Sequence, residues 1–307
     1  MNSSVATALH AAFISGMIPL LAGKDAFYIL KSYASIVVGG RLSHIHVTMS
    51  RNDSATPSEI VSSKNTNKES FISSLGLTSL FSEASQNPDN MYLVVLDGIN
   101  QALFEECLAP LLHCYDNRWK QGNASIPDNS YSLNRTNKKP IGLFWPKNVL
   151  LAGIFVETSN NAKIPQLFWD HMVFIDLSLS LFKGYLSGLP LQNSSVSTVP
   201  AKIWQRWCEE NQRISATMQR KNWNLVILDL SGHSTYLCQR VSFALLQIII
   251  DINLIDLYLL VLIWLPIAIS SNQTDKIIKM IQKPQWNSSL FSLAELAKMK
   301  SLIQGRE

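Results

Sequence analysis

The sequence predicts an α/β chain, a parallel sheet followed by a mostly helical region. Three observations carry this expectation. Residues 91–96 are a continuous apolar run, as strands buried on both faces are, and residues 149–155 and 172–177 read as further strands. Stretches with helical spacing lie between such runs, and strands separated by helices imply crossover connections and a parallel sheet. The strand signal fades after the Ser-, Asn- and Pro-rich residues 189–200, which places a boundary near residue 190. The expected organisation is an α/β core over residues 1–190 and a helical part over residues 191–307.

Each element can be justified in order. Residues 6–23 are apolar but have no basic segment before them, and Lys24 and Asp25 follow directly, so they are not read as a secretory signal. Their end, residues 20–22, leads through Gly23-Lys24 into a helix over residues 25–38. Ala26, Ile29, Leu30, Tyr33, Ala34 and Val37 fall on one face of that helix, and Gly39-Gly40 stops it. Residues 42–49 alternate as a strand does. Residues 50–70 and 119–139 are polar loops. The apolar run 91–96 ends in Asp97 and is followed by a helix over residues 101–115. The runs 149–155 and 172–177 complete the strands. Helices are expected over residues 203–215, 234–250, 254–264, 275–282 and 293–303.

Composition narrows the function classes. With 47% hydrophobic and 16% charged residues the chain is not intrinsically disordered. A net charge of +4 is too mild for a nucleic-acid-binding coat. The four cysteines, Cys107, Cys114, Cys208 and Cys238, have no Cys-x-x-Cys spacing. That argues against a structural zinc site or a disulfide scaffold and fits reduced thiols in a cytoplasmic protein. Residues 248–269 are long enough to cross a bilayer. Asp251, Asn253 and Asp256 lie in their first half, however, and each Asp would cost about 3 kcal/mol at mid-bilayer. A buried helix is the reading adopted, with no membrane partner. A membrane-associated protein using this stretch is the alternative from a different class.

Three runs carry candidate chemistry. At the end of the strand 91–96, Asp97 stands where ligands gather in an open parallel sheet. There it either holds a Mg²⁺ beside nucleotide phosphates or caps the turn before a helix. Gly23-Lys24 joins a strand directly to a helix, the setting in which backbone N–H groups and a helix N-terminus meet phosphate oxygens. Against the pattern G-x-x-x-x-G-K-[ST], the first glycine position holds Ile18 and the hydroxyl position holds Asp25, so a plain strand-to-helix turn is the competing reading. After the run 149–155, Glu157, Thr158 and Asn160 lie beside the same crevice or in a solvated loop. Two further groups read as structural. His44 and His46 share a strand face, but no third ligand is near in sequence, so they are taken as a surface pair. Trp204 and Trp207 lie beside Lys202, Arg206 and Arg213, where packing competes with stacking on bases or a partner.

Taken in order, these runs resemble the AAA+ ATPase core: phosphate-loop strand, helix, second strand, Walker B strand, helix, sensor strand and last strand. The nearest resemblance is to bacterial AAA+ domains of the methylcytosine-restriction motor clade, whose Walker B segment reads Asp-Glu-Ile-Asn-Arg-Ala. The same six positions here read Asp97-Gly98-Ile99-Asn100-Gln101-Ala102. Residues 18–23, with Gly39-Gly40-Arg41, also resemble AAA+ proteins of bacterial defence loci. The resemblance spans residues 10–285 and implies a three-layer α/β core with a helical lid. It implies ATP or GTP with Mg²⁺ as cofactor, Gly23, Lys24 and Asp25 at the phosphates, and Asp97 at the metal. His233 or Arg240 would stand where the lid arginine senses the γ-phosphate, and Asn100 and Glu157 are the weak candidates for catalysis. Homo- or hetero-oligomers, a ring among them, and a partner nuclease or ATPase subunit follow from the same resemblance, as does a nucleic-acid-directed role. The water-orienting Glu is Gly98 here, and losing such a group costs powers of ten in rate. The expectation is therefore a degenerate, regulatory or structural subunit with impaired hydrolysis. An active nucleoside triphosphatase, with Glu105, Glu106 or Glu157 as substitute carboxylate, is the alternative.

Overall fold

The computed structural model describes residues 3–47, 77–99, 145–156, 171–179, 181–182 and 199–217, together with isolated positions: 115, 118, 240, 241, 244, 245, 262, 263, 266, 294, 297 and 299. In chain order the described elements are α1 (Ser3–Ile14), β1 (Ile18–Ala22), α2 (Ala26–Val37), β2 (Leu42–His46), α3 (Leu77–Gln86), β3 (Tyr92–Asp97), β4 (Val149–Phe155), β5 (Met172–Asp176) and α4 (Ala201–Thr217). All but isolated positions of the expected helices beyond residue 217 and of 101–115 and 248–269, and the loops at 50–70 and 119–139, lie outside the described residues. Among those described, no helix is long and apolar enough to cross a membrane.

The five strands form one parallel sheet in the order β2-β3-β4-β1-β5. The α/β expectation therefore holds. The order also explains why the strand sequences do not alternate. β1, β3, β4 and β5 are buried along nearly their whole length, and apolar side chains are needed on both faces. β2 and β5 stand at the two ends of the described strand order; β5 is nevertheless buried, whereas β2 is half-buried to exposed and carries Ser43, His44 and His46. β1 contains Pro19, which is unexpected in an inner strand because it lacks an N–H. The pairing of β1 with β4 begins only at Leu20, one residue later, while Ile18 donates to His171 on the β5 side at 2.9 Å. The missing donor thus falls where β1 has no β4 partner.

Helix α2 connects β1 to β2 and lies over β3 and β4. The six residues expected on its inner face, Ala26, Ile29, Leu30, Tyr33, Ala34 and Val37, are its buried ones. Helix α1 went unread in the sequence because it is apolar nearly all round rather than amphipathic: Val5, Ala8, Leu9, Ala11, Ala12 and Phe13 are all buried. It ends at Gly16, whose φ of +78° lets Met17 N–H reach back to Ala12 O at 2.9 Å and close the last turn. Helix α4 packs on α1. Trp204 is fully buried, edge-on to His10 (5.2 Å between ring centroids) and near Phe13 (6.4 Å), and Asn211 donates to Ile14 O. Trp204 is therefore a core residue rather than an exposed stacking platform.

Candidate functional site

The carboxyl ends of the strands form a single edge. Strand register aligns His46 with Asp97, Asp97 with Ile154, Leu21 with Ile154, and Ala22 with Asp176. Adjacent strands are about 4.8 Å apart. With β4 between them, β1 and β3 stand about 10 Å apart, so the exit of β1 at Gly23 and Asp97 lie on the same sheet edge, on either side of β4. Gly153 in β4 is buried between them, the register partner of Leu96 and Leu20. A Cβ there would lie 2.8 Å from Ile99 Cδ1 and 3.1 Å from Leu20 Cδ1, so a side chain would have to push aside Ile99, just past the exit of β3.

The β1–α2 turn consists of Gly23, Lys24 and Asp25 only. Ala26 N–H closes it by donating to Gly23 O at 3.1 Å. Residues 18–22, which would occupy the phosphate-wrapping positions of a G-x-x-x-x-G loop, are instead a buried strand paired with β5 along its length and with β4 from Leu20 on. Gly23 has φ +127°, and a Cβ on it would sit 3.2 Å from Leu177 Cβ. Its glycine is thus required by close approach to the exit of β5, whether or not an anion ever binds there. Lys24 is exposed. Asp25 holds the N-cap position but makes no capping side-chain hydrogen bond.

On the β2–β3 side of the same edge the structure makes a cluster that the sequence does not announce. His44 and His46 alternate onto one face of β2, and Asp97 is the register partner of His46 on β3. His44 Nε2 lies 3.1 Å from Asp97 Oδ2 and His46 Nδ1 lies 3.2 Å from the same oxygen. The two imidazoles are 4.2 Å apart between centroids. Phe27, in the first turn of α2, stacks on His44 at 4.1 Å with an interplanar angle of 23°, which fixes that ring and ties the cluster to the β1–α2 turn. His44 and Asp97 are mostly buried (22% and 18% exposed), and His46 faces solvent (63%). The reading of His44 and His46 as an isolated surface pair is corrected here. The third ligand-type group is 51 positions away from His46 in sequence and adjacent to it in space.

The exit of β3 is held by backbone as well. Gly98 and Ile99 both donate to Ile154 O, at 3.1 and 3.2 Å, and Gly98 has φ +82°. The position that holds a water-orienting Glu in the AAA+ pattern is thus locked in a backbone conformation that disfavours any side chain.

Of the residues singled out from sequence, Gly23, Lys24, Asp25 and Asp97 lie along this edge, on either side of β4. Arg240 does not join them. Its backbone carbonyl accepts from Asn211 Nδ2, whose side chain also donates to Ile14 O, so Arg240 sits by the end of α1, at the amino edge of β1. Asn100, Glu157 and His233 lie outside the described residues. The sequence reading passed over Asp176, which ends β5 beside Ala22 and accepts from Ser178 N–H at 2.8 Å; one carboxylate at a strand end gives no pattern to detect. Neither a family model nor a curated protein matches the sequence. The functional reading therefore stands on this geometry and on the motif order.

Proposed function

We propose that the chain is a degenerate AAA+-type P-loop protein that serves as a regulatory or structural subunit rather than as a motor. In this reading it works within a nucleic-acid-directed defence or remodelling complex, as a homo- or hetero-oligomer or ring subunit beside a partner nuclease or ATPase. A helical lid follows its α/β core. Nucleotide, ATP or GTP with Mg²⁺, is held weakly through Lys24 and the start of α2, and is not turned over.

The observation that carries the non-hydrolytic reading is the three-residue turn between Ala22 and Ala26. A phosphate loop needs several residues whose N–H groups wrap the β-phosphate. Here those positions are a hydrogen-bonded strand, and only Gly23, Lys24 and a helix N-terminus remain to meet an anion. Two further features point the same way. Gly98 offers no carboxylate to orient water. Asp97 Oδ2 is already within hydrogen-bonding reach of two imidazoles, which a phosphate-bound Mg²⁺ would have to displace. The AAA+ part of the reading is supported by motif order: a strand, a glycine turn, a helix, an edge strand, a strand ending in Asp97 and two more strands, all within one parallel sheet.

The test is to measure nucleotide binding and phosphate release on the purified full chain, with Lys24→Ala as control. Weak binding that the substitution abolishes, without turnover, is the expected result. Turnover of about 1 s⁻¹, the lower end of ordinary enzyme rates, would overturn it.

A further inference from the structure

We propose that His44, His46 and Asp97 form a binding site for a borderline transition-metal cation, Zn²⁺ foremost, at the carboxyl ends of β2 and β3. The inference stands on geometry and donor chemistry and does not depend on the nucleotide reading. One ligand atom from each residue lies within 4.8 Å of the other two. Around a tetrahedral Zn²⁺ with bonds of about 2.0–2.1 Å, ligand atoms are about 3.3 Å apart. The two nitrogen-to-Oδ2 distances, 3.1 and 3.2 Å, are already close to that edge length. The third edge, between the two imidazole nitrogens, is within 4.8 Å, so rotation of the imidazoles about their side-chain bonds brings all three donors onto one ion.

The donor set selects the metal. Two imidazole nitrogens and one carboxylate oxygen suit Zn²⁺, Co²⁺ or Ni²⁺, whereas Mg²⁺ prefers an all-oxygen octahedron and retains its waters. The ligands are also preorganised. His44 and His46 are two apart on one strand, Asp97 is fixed by register, and Phe27 stacks against the His44 ring. Three protein ligands leave a fourth position open, and exposed His46 places it toward solvent, where water or an oxyanion would complete the shell.

The experiment is a calorimetric titration of the full chain with Zn²⁺ alone, repeated with Co²⁺ followed by visible absorption. The substitutions His44→Ala, His46→Ala and Asp97→Asn are compared with the parent, each after its fold has been verified by circular dichroism. The expected result is one Zn²⁺ per chain, unaffected by excess Mg²⁺, with cobalt giving the intense bands of a four-coordinate site. Each substitution should weaken binding at least 10-fold. His46→Ala keeps the test sound if the more buried substitutions unfold the chain, because that side chain is exposed. Absence of stoichiometric binding to the parent, or binding that His46→Ala leaves unchanged, would overturn the proposal. No nucleotide is present in the titration, so its failure leaves the subunit reading untouched, and nucleotide turnover would leave the metal site untouched.

Discussion

Two groups of histidines in one domain meet opposite surroundings. His10 lies on α1 beneath α4, edge-on to Trp204 at 5.2 Å and Trp207 at 5.6 Å, with Tyr33 Oη 3.1 Å from its Nδ1. No carboxylate is among these neighbours, and burial pushes its pKa down to about 4. His44 and His46 lie at the sheet edge and share a carboxylate oxygen. The residue type is the same, but its chemistry is set by what the fold supplies: aromatic edges make His10 a neutral packing element, and a carboxylate makes the pair at the edge a ligand set. The difference follows from position in the α/β layers. Helix-covered faces must be apolar, while strand ends release backbone and polar groups toward solvent.

The largest effect expected is on the packed side. Trp204 is fully buried between α4 and α1, and Trp204→Ala should cost about 3–5 kcal/mol of unfolding free energy, measured by denaturant titration. A loss below about 1 kcal/mol would mean that α4 is not seated on α1, and the contrast between the two histidine environments would collapse with it.

The next prediction tests the His10 environment by pH. A histidine with pKa about 4 folded and about 6.5 unfolded binds fewer protons when folded throughout that window. Its contribution is fully present above pH 6.5 and is lost as pH falls toward 4. At about 1.4 kcal/mol per pKa unit, the loss is at most about 3 kcal/mol, and somewhat less because the ring is not completely buried. His10→Leu should flatten this part of the stability profile. An unchanged slope between pH 6.5 and 4 in the variant would assign the acid sensitivity to other groups.

At the sheet edge, Gly98→Glu restores the residue of the AAA+ Walker B pattern, yet it should gain no hydrolysis. The side chain would have to adopt φ near +82°, at a cost of about 1–2 kcal/mol, and the β1–α2 turn would still lack a phosphate loop. Phosphate release above background in this variant would show that the missing carboxylate, and not the short turn, is what silences the site.

The two regions also differ in how far the sequence revealed them. The inner strands and the buried face of α2 were legible because burial on both faces, or on one helical stripe, writes itself into local spacing. The six apolar positions on α2 are the clearest case. Helix α1 was missed because its apolar residues outnumber the half-buried stripe of Ser4, Thr7 and His10 that would mark a face, and α3 because only Leu77, Phe81 and Ala84 mark its inner side. At the candidate site, Gly23, Lys24 and Asp97 could be found from motif order. The partnership of Asp97 with His44 and His46 could not, because strand register creates it across a long connection. The direct passage from a strand through Gly23-Lys24 into a helix was legible too, and the pairing of residues 18–22 with β5, and from Leu20 on with β4, fixes it.

The smallest effect, and the sharpest separation of the two histidine groups, concerns His46. Its side chain is 63% exposed and contributes one edge of a three-membered cluster, so in metal-free buffer His46→Ala should change stability by no more than about 0.5 kcal/mol. Zn²⁺ should make the difference visible. A ligand that binds only the folded state stabilises it by about 2.7 kcal/mol at a hundred times its dissociation constant. The parent should therefore melt higher with Zn²⁺, and His46→Ala should not. His10→Leu, compared at pH 7, should respond to Zn²⁺ as the parent does, because His10 has aromatic neighbours and no carboxylate beside it to complete a ligand set. If Zn²⁺ stabilises His46→Ala as much as the parent, or if His10→Leu abolishes the response, then the metal-linked stability does not come from the strand-end cluster, and the division of labour between the two regions is wrong.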